Sequence, residues 1–226
     1  MPLNIAIDGP VGAGKSSVAR EVARRLNILH LDTGAMYRAM GVAALRRGIL
    51  PTDEQAVSRL CETVQITVKY HDGKQQTLVD GVDVSGIIRT PEAGMAASAV
   101  SRFAQVRRHM VALQRILAGE TDMVVDGRDI GTNVLKGAGV KIFLTASPEE
   151  RARRRHLELL AAGGKDTYEQ VLKDLRQRDL QDSSRPIDPL RPAEDAVILD
   201  STDLAPEQVT GRILEIVEER YGTAAR

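Results

Sequence analysis

A lysine and a serine that follow a glycine-rich turn are the residues of this sequence whose types and spacing point most directly to chemistry. The stretch GPVGAGKS, residues 9–16, matches the pattern G-x-x-x-x-G-K-[ST] at every defined position. In such a loop backbone N–H groups surround phosphate oxygens, the lysine reaches the β- and γ-phosphates of a nucleotide, and the serine hydroxyl can bind Mg²⁺. We therefore predict a nucleotide phosphate site with Ser16 as its metal ligand. Its residues are Gly9, Pro10, Val11, Gly12, Ala13, Gly14, Lys15, Ser16 and Ser17.

The alternative is an ordinary glycine turn between a strand and a helix. We favour the phosphate-binding interpretation because the motif follows an apolar β-run and opens a helical pattern, whose positive end attracts phosphate. The loop alone leaves open whether the nucleotide serves a switch, a motor or a phosphoryl transfer.

Arginines after two other apolar runs favour phosphoryl transfer. Arg38 ends LDTGAMYR, residues 31–38, and Arg128 lies in VDGRDIGT, residues 125–132. In a parallel sheet such loops share the carboxyl edge with the glycine-rich loop, and fixed cations there offset the repulsion between two phosphates. Taken singly, Arg38 is equally well explained as a surface residue after a Thr33 helix cap. For Arg128-Asp129 we favour the ligand crevice over the alternative, an incidental turn with a salt bridge.

A second group of charges lies in residues 147–192. Arg151, Arg153, Arg154 and Arg155 cluster at one end, although residues 147–185 hold nine basic and eight acidic residues. With a possible hinge at Gly163-Gly164, this segment is typical of a mobile lid over phosphates. Further on, Arg178, Asp182 and Arg185 are spaced i, i+4, i+7 on one helical face or its continuation, where the alternative is a surface ion pair.

The elements that must position these residues are predicted by hydrophobic periodicity. Five short apolar runs, residues 3–8, 28–32, 123–126, 140–146 and 196–200, indicate strands covered on both faces. Helical patterns occupy residues 15–26, 35–47, 92–100, 104–117, 148–161, 168–181 and 206–220, and SRLCETV around Cys61 is a further helical stretch. Residues 65–85 alternate with period two and contain Asp-Gly turns. The prediction is an α/β fold: a five-stranded parallel sheet with helices on both faces, a small antiparallel β-insert and a helical lid.

Composition narrows the classes of function. The 226 residues include 31 basic and 31 acidic side chains, so no net positive charge favours a nucleic acid polymer. We find no apolar run long enough to span a membrane and no signal peptide, and we expect a cytoplasmic location. The guanine-reading pattern [NT]-K-x-D of GTPases is absent from the sequence, and the four histidines lack metal-ligand spacing.

Six motifs in this order, GPVGAGKSS, LDTGAMYR, IRTPEAGMAAS, VDGRDIGT, KIFLTASPEERARRR and RDLQDSSR, resemble the bacterial cytidylate kinases, a branch of the nucleoside monophosphate kinases. The resemblance spans residues 5–220. It implies transfer of a phosphoryl group from ATP, with Mg²⁺, to CMP or dCMP by a monomer. It also implies a core of residues 1–35, 104–147 and 193–226, an acceptor-binding insert of residues 36–103, and a lid with its following helix in residues 148–192.

The resemblance implies a role for each motif residue. Arg38, Arg128 and Arg185 would hold the acceptor phosphate. Tyr37 would pack near the acceptor, and Thr33 would also belong to the substrate-binding residues. Ser98, Arg107 and Asp129 would read the cytosine edge, and Arg178 and Asp182 would bind the sugar hydroxyls. The catalytic set would be Lys15, Arg128, Arg154, Arg155 and Arg185, with the two lid arginines closing over the donor phosphates.

Two other functions remain open at this point. A phosphotransferase for a different monophosphate or a hydroxylated metabolite would use the same loop with another acceptor. A nucleotide-dependent switch would hydrolyse slowly and bind a protein partner, but the missing guanine-reading motif argues against it.

Overall fold

The computed structural model describes residues 2–222 and confirms the α/β architecture. Its strands are β1 Asn4–Asp8, β2 Leu29–Asp32, β3 Ile66–His71, β4 Lys74–Val79, β5 Val82–Asp83, β6 Met123–Gly127, β7 Val140–Thr145 and β8 Val197–Asp200. Its helices are α1 Lys15–Leu26, α2 Thr33–Arg46, α3 Glu54–Thr63, α4 Pro91–Val100, α5 Ala104–Glu120, α6 Pro148–Ala161, α7 Tyr168–Ser184 and α8 Pro206–Tyr221. A 3-10 turn, Ile87–Arg89, and a single π-helical turn, Ile130–Val134, complete the described elements.

The strands form two sheets, as predicted. Five strands follow the order β2-β6-β1-β7-β8, in which β1 pairs in parallel with β6 and β7, and β7 with β8. The β-insert is the antiparallel sheet β3-β4-β5. The tight turns at Asp72-Gly73 and Asp80-Gly81 take the positive φ angles that Asp-Gly hairpins require.

The chain divides into two compact units. The first unit contains Leu29–Asp122, and the second contains Leu3–Ile28 and the described chain from Met123 onward. The core, insert and lid boundaries given above are functional sub-regions, and they stay a prediction. No helix in residues 2–222 has the length and hydropathy to cross a membrane.

The second unit has a core built on the face of β1 that carries Ile5 and Ile7. Ile5 and Ile7 are fully buried in one cluster with Val18 and Val22 of α1 and Ile213 of α8. Each such side chain contributes about 1.5–3 kcal/mol when it leaves water. The prediction that all five strands are covered on both faces is wrong for β8, whose burial alternates and whose Ile198 is 63% exposed. The reason is that Val197 and Leu199 pack against the core, whereas Ile198 and Asp200 lie on the opposite face, which is open to solvent.

The first unit is organised by close packing of α2 on α4. A Cβ on Gly41 would lie 2.7 Å from Ala96 Cβ and 3.0 Å from the backbone of α4, so only glycine permits this approach. Asp32 rather than Thr33 caps α2, because the Asp32 side chain accepts a hydrogen bond from Ala35 N and Thr33 is already helical. The helix expected around Cys61 is α3, and Cys61 is buried in it.

Candidate active site

The glycine-rich loop has a backbone conformation that its glycines make possible. Gly9 takes φ +150°, and a Cβ there would lie 1.9 Å from Leu144 O, so no other residue fits. Gly14 takes φ +85° and starts α1. The loop therefore needs its glycines for backbone conformation and close approach.

Lys15 is a buried cation at the first position of α1. Its Nζ donates a hydrogen bond to Pro10 O at 2.7 Å. Burial, and then the nearby Arg128 charge, lower the pKa of Lys15 to about 7. An anion beside Nζ would favour the charged form, so this lysine is suited to a phosphate ligand.

Ser16 and Asp126 pair at the loop. Ser16 Oγ donates to Asp126 Oδ2 at 2.8 Å, and Asp126 lies buried at the end of β6. Hydroxyl and carboxylate oxygens are hard ligands that suit Mg²⁺. Among residues 2–222 no group of three or more His, Cys, Asp or Glu side chains could hold a metal ion by itself. A cation here would thus need phosphate or water oxygens as well.

Arg128 follows β6 and is held by a carboxylate from α7. Its Nε donates to Asp182 Oδ2 at 2.8 Å, and its Nη1 donates to Gly127 O at 3.1 Å. Arg178 lies one helical turn before Asp182, and burial lowers its pKa. The structure therefore places Arg178 and Asp182 of α7 near Arg128, a proximity that the i, i+4 spacing within the helix did not by itself predict.

Asp129 and Arg185 form a second buried pair. Arg185 Nη2 donates to Asp129 Oδ1 at 3.4 Å, and Arg185 Nε donates to Asp188 O at 2.6 Å. Asn133 Nδ2 donates to the other Asp129 oxygen at 3.1 Å. These contacts fix the Asp129 carboxylate in one orientation at the start of the π-helical turn.

The first unit holds another group of predicted site residues. Arg38 Nη2 donates to Asp32 Oδ2 at 2.8 Å, while its buried Nε has no hydrogen-bond partner among residues 2–222. A buried guanidinium N–H without an acceptor is costly, so Arg38 is suited to an anionic ligand. Gly34 leaves room for this pair, because a Cβ there would lie 3.0 Å from both partners.

The other predicted residues of the first unit lie on α2, α4 and α5. Arg107 is buried, with its guanidinium carbon 5.9 Å from the centre of the Tyr37 ring. Thr33 is buried at the start of α2, and Ser98 is half-buried on α4. Cation–π contact orients the Arg107 side chain against α2.

The lid arginines differ from one another in their contacts. Arg154 donates to Glu150 at 2.8 Å and to Ser201 O at 2.6 Å, and the exposed Arg155 donates to Glu158 at 3.0 Å. Arg151 is the one of these three that reaches the glycine-rich loop, with its Nη1 2.9 Å from Val11 O. The contacts of Arg154 and Arg155 to donor phosphates stay a prediction.

Sequence reasoning missed four residues that hold the predicted ones in place. Asp8, Asp32, Gln75 and Asn133 bind the backbone or side chains of the site. Asp8 and Asp32 had a visible signal, since each is an acidic residue at the end of an apolar run. Gln75 had no such signal, because it lies on a strand 43 residues away from Asp32. Its side-chain amide accepts a hydrogen bond from Asp32 N and donates one to Asp32 O.

Known proteins resemble the chain over nearly its full length. The family model described as cytidylate kinase matches residues 5–219. A cytidylate kinase of Caldicellulosiruptor bescii is 47% identical over 214 residues, which cover 95% of each chain. One of a Geobacillus species is 49% identical over 220 residues, which cover 97% of this chain and 98% of the relative. A solved structure of an uncharacterized protein from Eubacterium ventriosum aligns with TM-score 0.51 at 12% identity over 96% of this chain and 99% of that one, a likeness of fold alone.

Proposed function

This chain belongs to the cytidylate kinase family, and we propose that it transfers the γ-phosphoryl group of ATP to CMP or dCMP, giving ADP with CDP or dCDP. The observation that supports this most is that the match to the family spans every motif described above, from the glycine-rich loop to α8. The buried Lys15 and the Ser16–Asp126 pair supply the chemistry expected at the donor phosphates.

For the metal we propose Mg²⁺ held by Ser16, with Asp126 orienting the hydroxyl or binding through water. The fit rests on two hard oxygens 2.8 Å apart beside the phosphate loop. When bound, the cation neutralises charge on the donor phosphates.

We propose that Arg128 and Arg185 bind the acceptor phosphate, and that Arg38 of the first unit does so too. Each of them donates to a carboxylate, Asp182, Asp129 and Asp32 respectively, which orients the guanidinium before a phosphate arrives. Arginine binds phosphate through a planar fork of donors, so a pre-oriented guanidinium loses little entropy on binding.

For the base and sugar we propose Ser98, Arg107 and Asp129 as readers of cytosine, and Arg178 and Asp182 as contacts to the sugar hydroxyls. Cytosine has one exocyclic amine donor and two acceptors, N3 and O2, so it needs one carboxylate and two donors. A wrong base would leave these polar groups unpaired, which is how such sites discriminate strongly.

No general base is needed, because the oxygen of the acceptor phosphate that attacks is already anionic. The chain's own contribution is to position the two nucleotides and to neutralise charge with Lys15, Arg128 and Arg185. We propose that residues 148–192 act as a lid and that Arg154 and Arg155 reach the donor phosphates. Arg154 would then have to release Glu150 and Ser201.

We further propose a monomeric enzyme of the cytoplasm that acts on small nucleotides rather than on nucleic acid. The equal numbers of basic and acidic residues support a partner smaller than a polyanion.

The experiment that tests this function is a coupled ADP-release assay with ATP, Mg²⁺ and CMP, dCMP, UMP, AMP or GMP. We expect strong turnover with CMP and dCMP, weak turnover with UMP and none with purines. A response that is the same for every nucleotide would contradict the acceptor assignment while leaving the phosphate loop intact. Non-nucleotide acceptors would then be tested.

A further inference from the structure

Asp8 is a buried carboxylate that the proposed reaction does not use. It ends β1 directly before the glycine-rich loop and is 4% exposed. Its Oδ1 accepts a hydrogen bond from Ile130 N at 2.8 Å, and its Oδ2 accepts one from Gly131 N at 2.7 Å. Each oxygen therefore holds one backbone N–H of a segment more than 120 residues later in the chain.

The two N–H groups belong to the start of the π-helical turn Ile130–Val134. The first N–H groups of any helical turn lack partners within it, and they must be satisfied from outside. The turn itself closes through Leu135 N to Ile130 O at 2.7 Å. Rare turns of this kind persist when surrounding contacts hold them, and Asp8 supplies two such contacts.

The clamped segment has little room to shift. A Cβ at Gly131 would lie 3.1 Å from Lys141 Cδ and 3.4 Å from Asp8 Oδ2. Asp8 thus fixes one side of the turn while Lys141 limits the other. Arg128 and Asp129 directly precede the two clamped N–H groups, so the position of their backbone depends on this clamp.

We propose that Asp8 is a positioning residue for the acceptor: its carboxylate fixes the backbone that carries Arg128 and Asp129, and so sets how these two side chains meet CMP. The inference rests on the proposed function and adds a residue to it. Within residues 2–222 the Asp8 carboxylate accepts from Ile130 N and Gly131 N and from no residue of the glycine-rich loop. Its removal should therefore affect acceptor binding and turnover more than donor binding.

The surroundings of Asp8 make its ionised carboxylate unfavourable to bury, so this residue is not explained by stability. Burial, and further the charge of Asp129, raise the pKa of Asp8, while the two backbone N–H groups and Lys15 lower it, with a net rise to about 6. The negative charge of Asp8 also acts on the Arg128 guanidinium, and the aliphatic part of the Lys141 side chain lies next to Gly131. An apolar residue would be easier to bury here, but it would not hold the turn.

The test is Asp8→Asn, which keeps the shape but turns one acceptor into a donor that faces an N–H. We expect the KM for CMP to rise about tenfold and kcat to fall about 10- to 100-fold, since displacements of about 1 Å have effects of that size. The Kd for ATP, measured by calorimetry without CMP, should stay within about threefold of the wild-type value.

The matched control is Asp53→Asn, because the Asp53 carboxylate also accepts a backbone N–H, from Ala56 at 3.0 Å, but it caps α3. We expect its kinetics to equal those of the wild type. If Asp8→Asn does not fold, Gly131→Ala tests the clamp from the other side, with a several-fold higher KM for CMP and unchanged ATP affinity.

Three outcomes would overturn the inference. Unchanged kcat and KM for CMP in a folded Asp8→Asn or Gly131→Ala variant would make Asp8 a structural residue only. An equal loss of ATP affinity would assign its effect to the phosphate loop. A wild-type protein that does not phosphorylate CMP would remove the proposed function and this inference together, which distinguishes that failure from the first two.

Discussion

The glycine-rich loop with its facing turn and helix α6 are both rich in charge, but they hold their charges differently. At the loop Asp8, Lys15, Asp126 and Asp129 are buried, and each has a defined partner. On α6, Arg153 and Arg155 are exposed and pair with residues three positions away. Buried charges are hard to separate, whereas exposed pairs contribute little and exchange easily. The loop is therefore built to be rigid, whereas Arg153 and Arg155 of α6 can exchange their partners.

Arg151 is the exception that breaks this division most sharply. It belongs to α6, but it is 3% exposed and donates to Val11 O, Ala146 O and Asp179. We expect Arg151→Ala to lower the free energy of unfolding by about 3–5 kcal/mol, because it leaves a carboxylate and two carbonyls without their donor. Urea unfolding measures this.

The matched variant is Arg155→Ala, four residues later on the same helix. Its exposed partner Glu158 stays solvated, so we expect a change below about 0.5 kcal/mol. Equal effects of the two variants would contradict the division between a fixed and an exchangeable set of arginines.

Removing Arg128 or Arg185 should lower turnover even in the folded protein, although the loss of a donor to Asp182 or Asp129 also lowers stability. We expect Arg128→Ala and Arg185→Ala each to lower kcat/KM for CMP by about 10²–10³, the range for loss of one preorganised group at a transferring centre. The measurement is steady-state kinetics beside a thermal melt. Arg176→Ala, which removes an exposed pair with Glu149, serves as the control. Near-normal turnover of either variant would remove that residue from the site.

Asp126→Asn tests the proposed Mg²⁺ site. Because Asp126 accepts from Ser16 Oγ, its loss should raise the Mg²⁺ concentration for half-maximal activity about 10- to 100-fold. Asp203→Asn, at an exposed carboxylate, is the control. An unchanged Mg²⁺ requirement would exclude Asp126 from the metal site.

The sequence predicted the helices and strands better than the contacts between them. The helix bounds Lys15–Leu26 and Pro148–Ala161 and the five strands followed from hydrophobic periodicity, which is a local property. The exposed face of β8 was not predicted, because coverage of a face depends on where other elements pack, which the apolar run of residues 196–200 does not contain.

In the candidate site, too, the sequence predicted single residues but not the contacts between distant segments. Lys15, Arg128 and Asp129 were found because motifs place them at strand ends. The bonds from Asp8 to Ile130 and from Gln75 to Asp32 join segments 122 and 43 positions apart, and no local pattern encodes them. The arginines of α6 were grouped by composition, although burial later separates Arg151 from Arg155.

The smallest expected effect is a pH dependence that separates Asp8 from Glu150 of α6. The folded-state pKa of Asp8 is raised to about 6, mainly by burial, whereas a hydrogen bond from Arg153 lowers that of Glu150 to about 2. Between about pH 4 and 6 the folded protein therefore binds more protons at Asp8 than the unfolded chain does. The stability contributed by this group consequently falls as pH rises through that window, while the contribution of Glu150 is lost only as pH falls toward 2.

From pH 5 to pH 7 we expect wild-type protein to lose roughly 1 kcal/mol of unfolding free energy relative to Asp8→Asn, as measured in urea. Activity should instead increase as pH rises through this window. Above its pKa the Asp8 carboxylate is ionised and accepts hydrogen bonds from both N–H groups. A stability difference that is flat between pH 5 and pH 7 would show that Asp8 is not a strained buried charge, and the contrast between the loop and α6 would then rest on geometry alone.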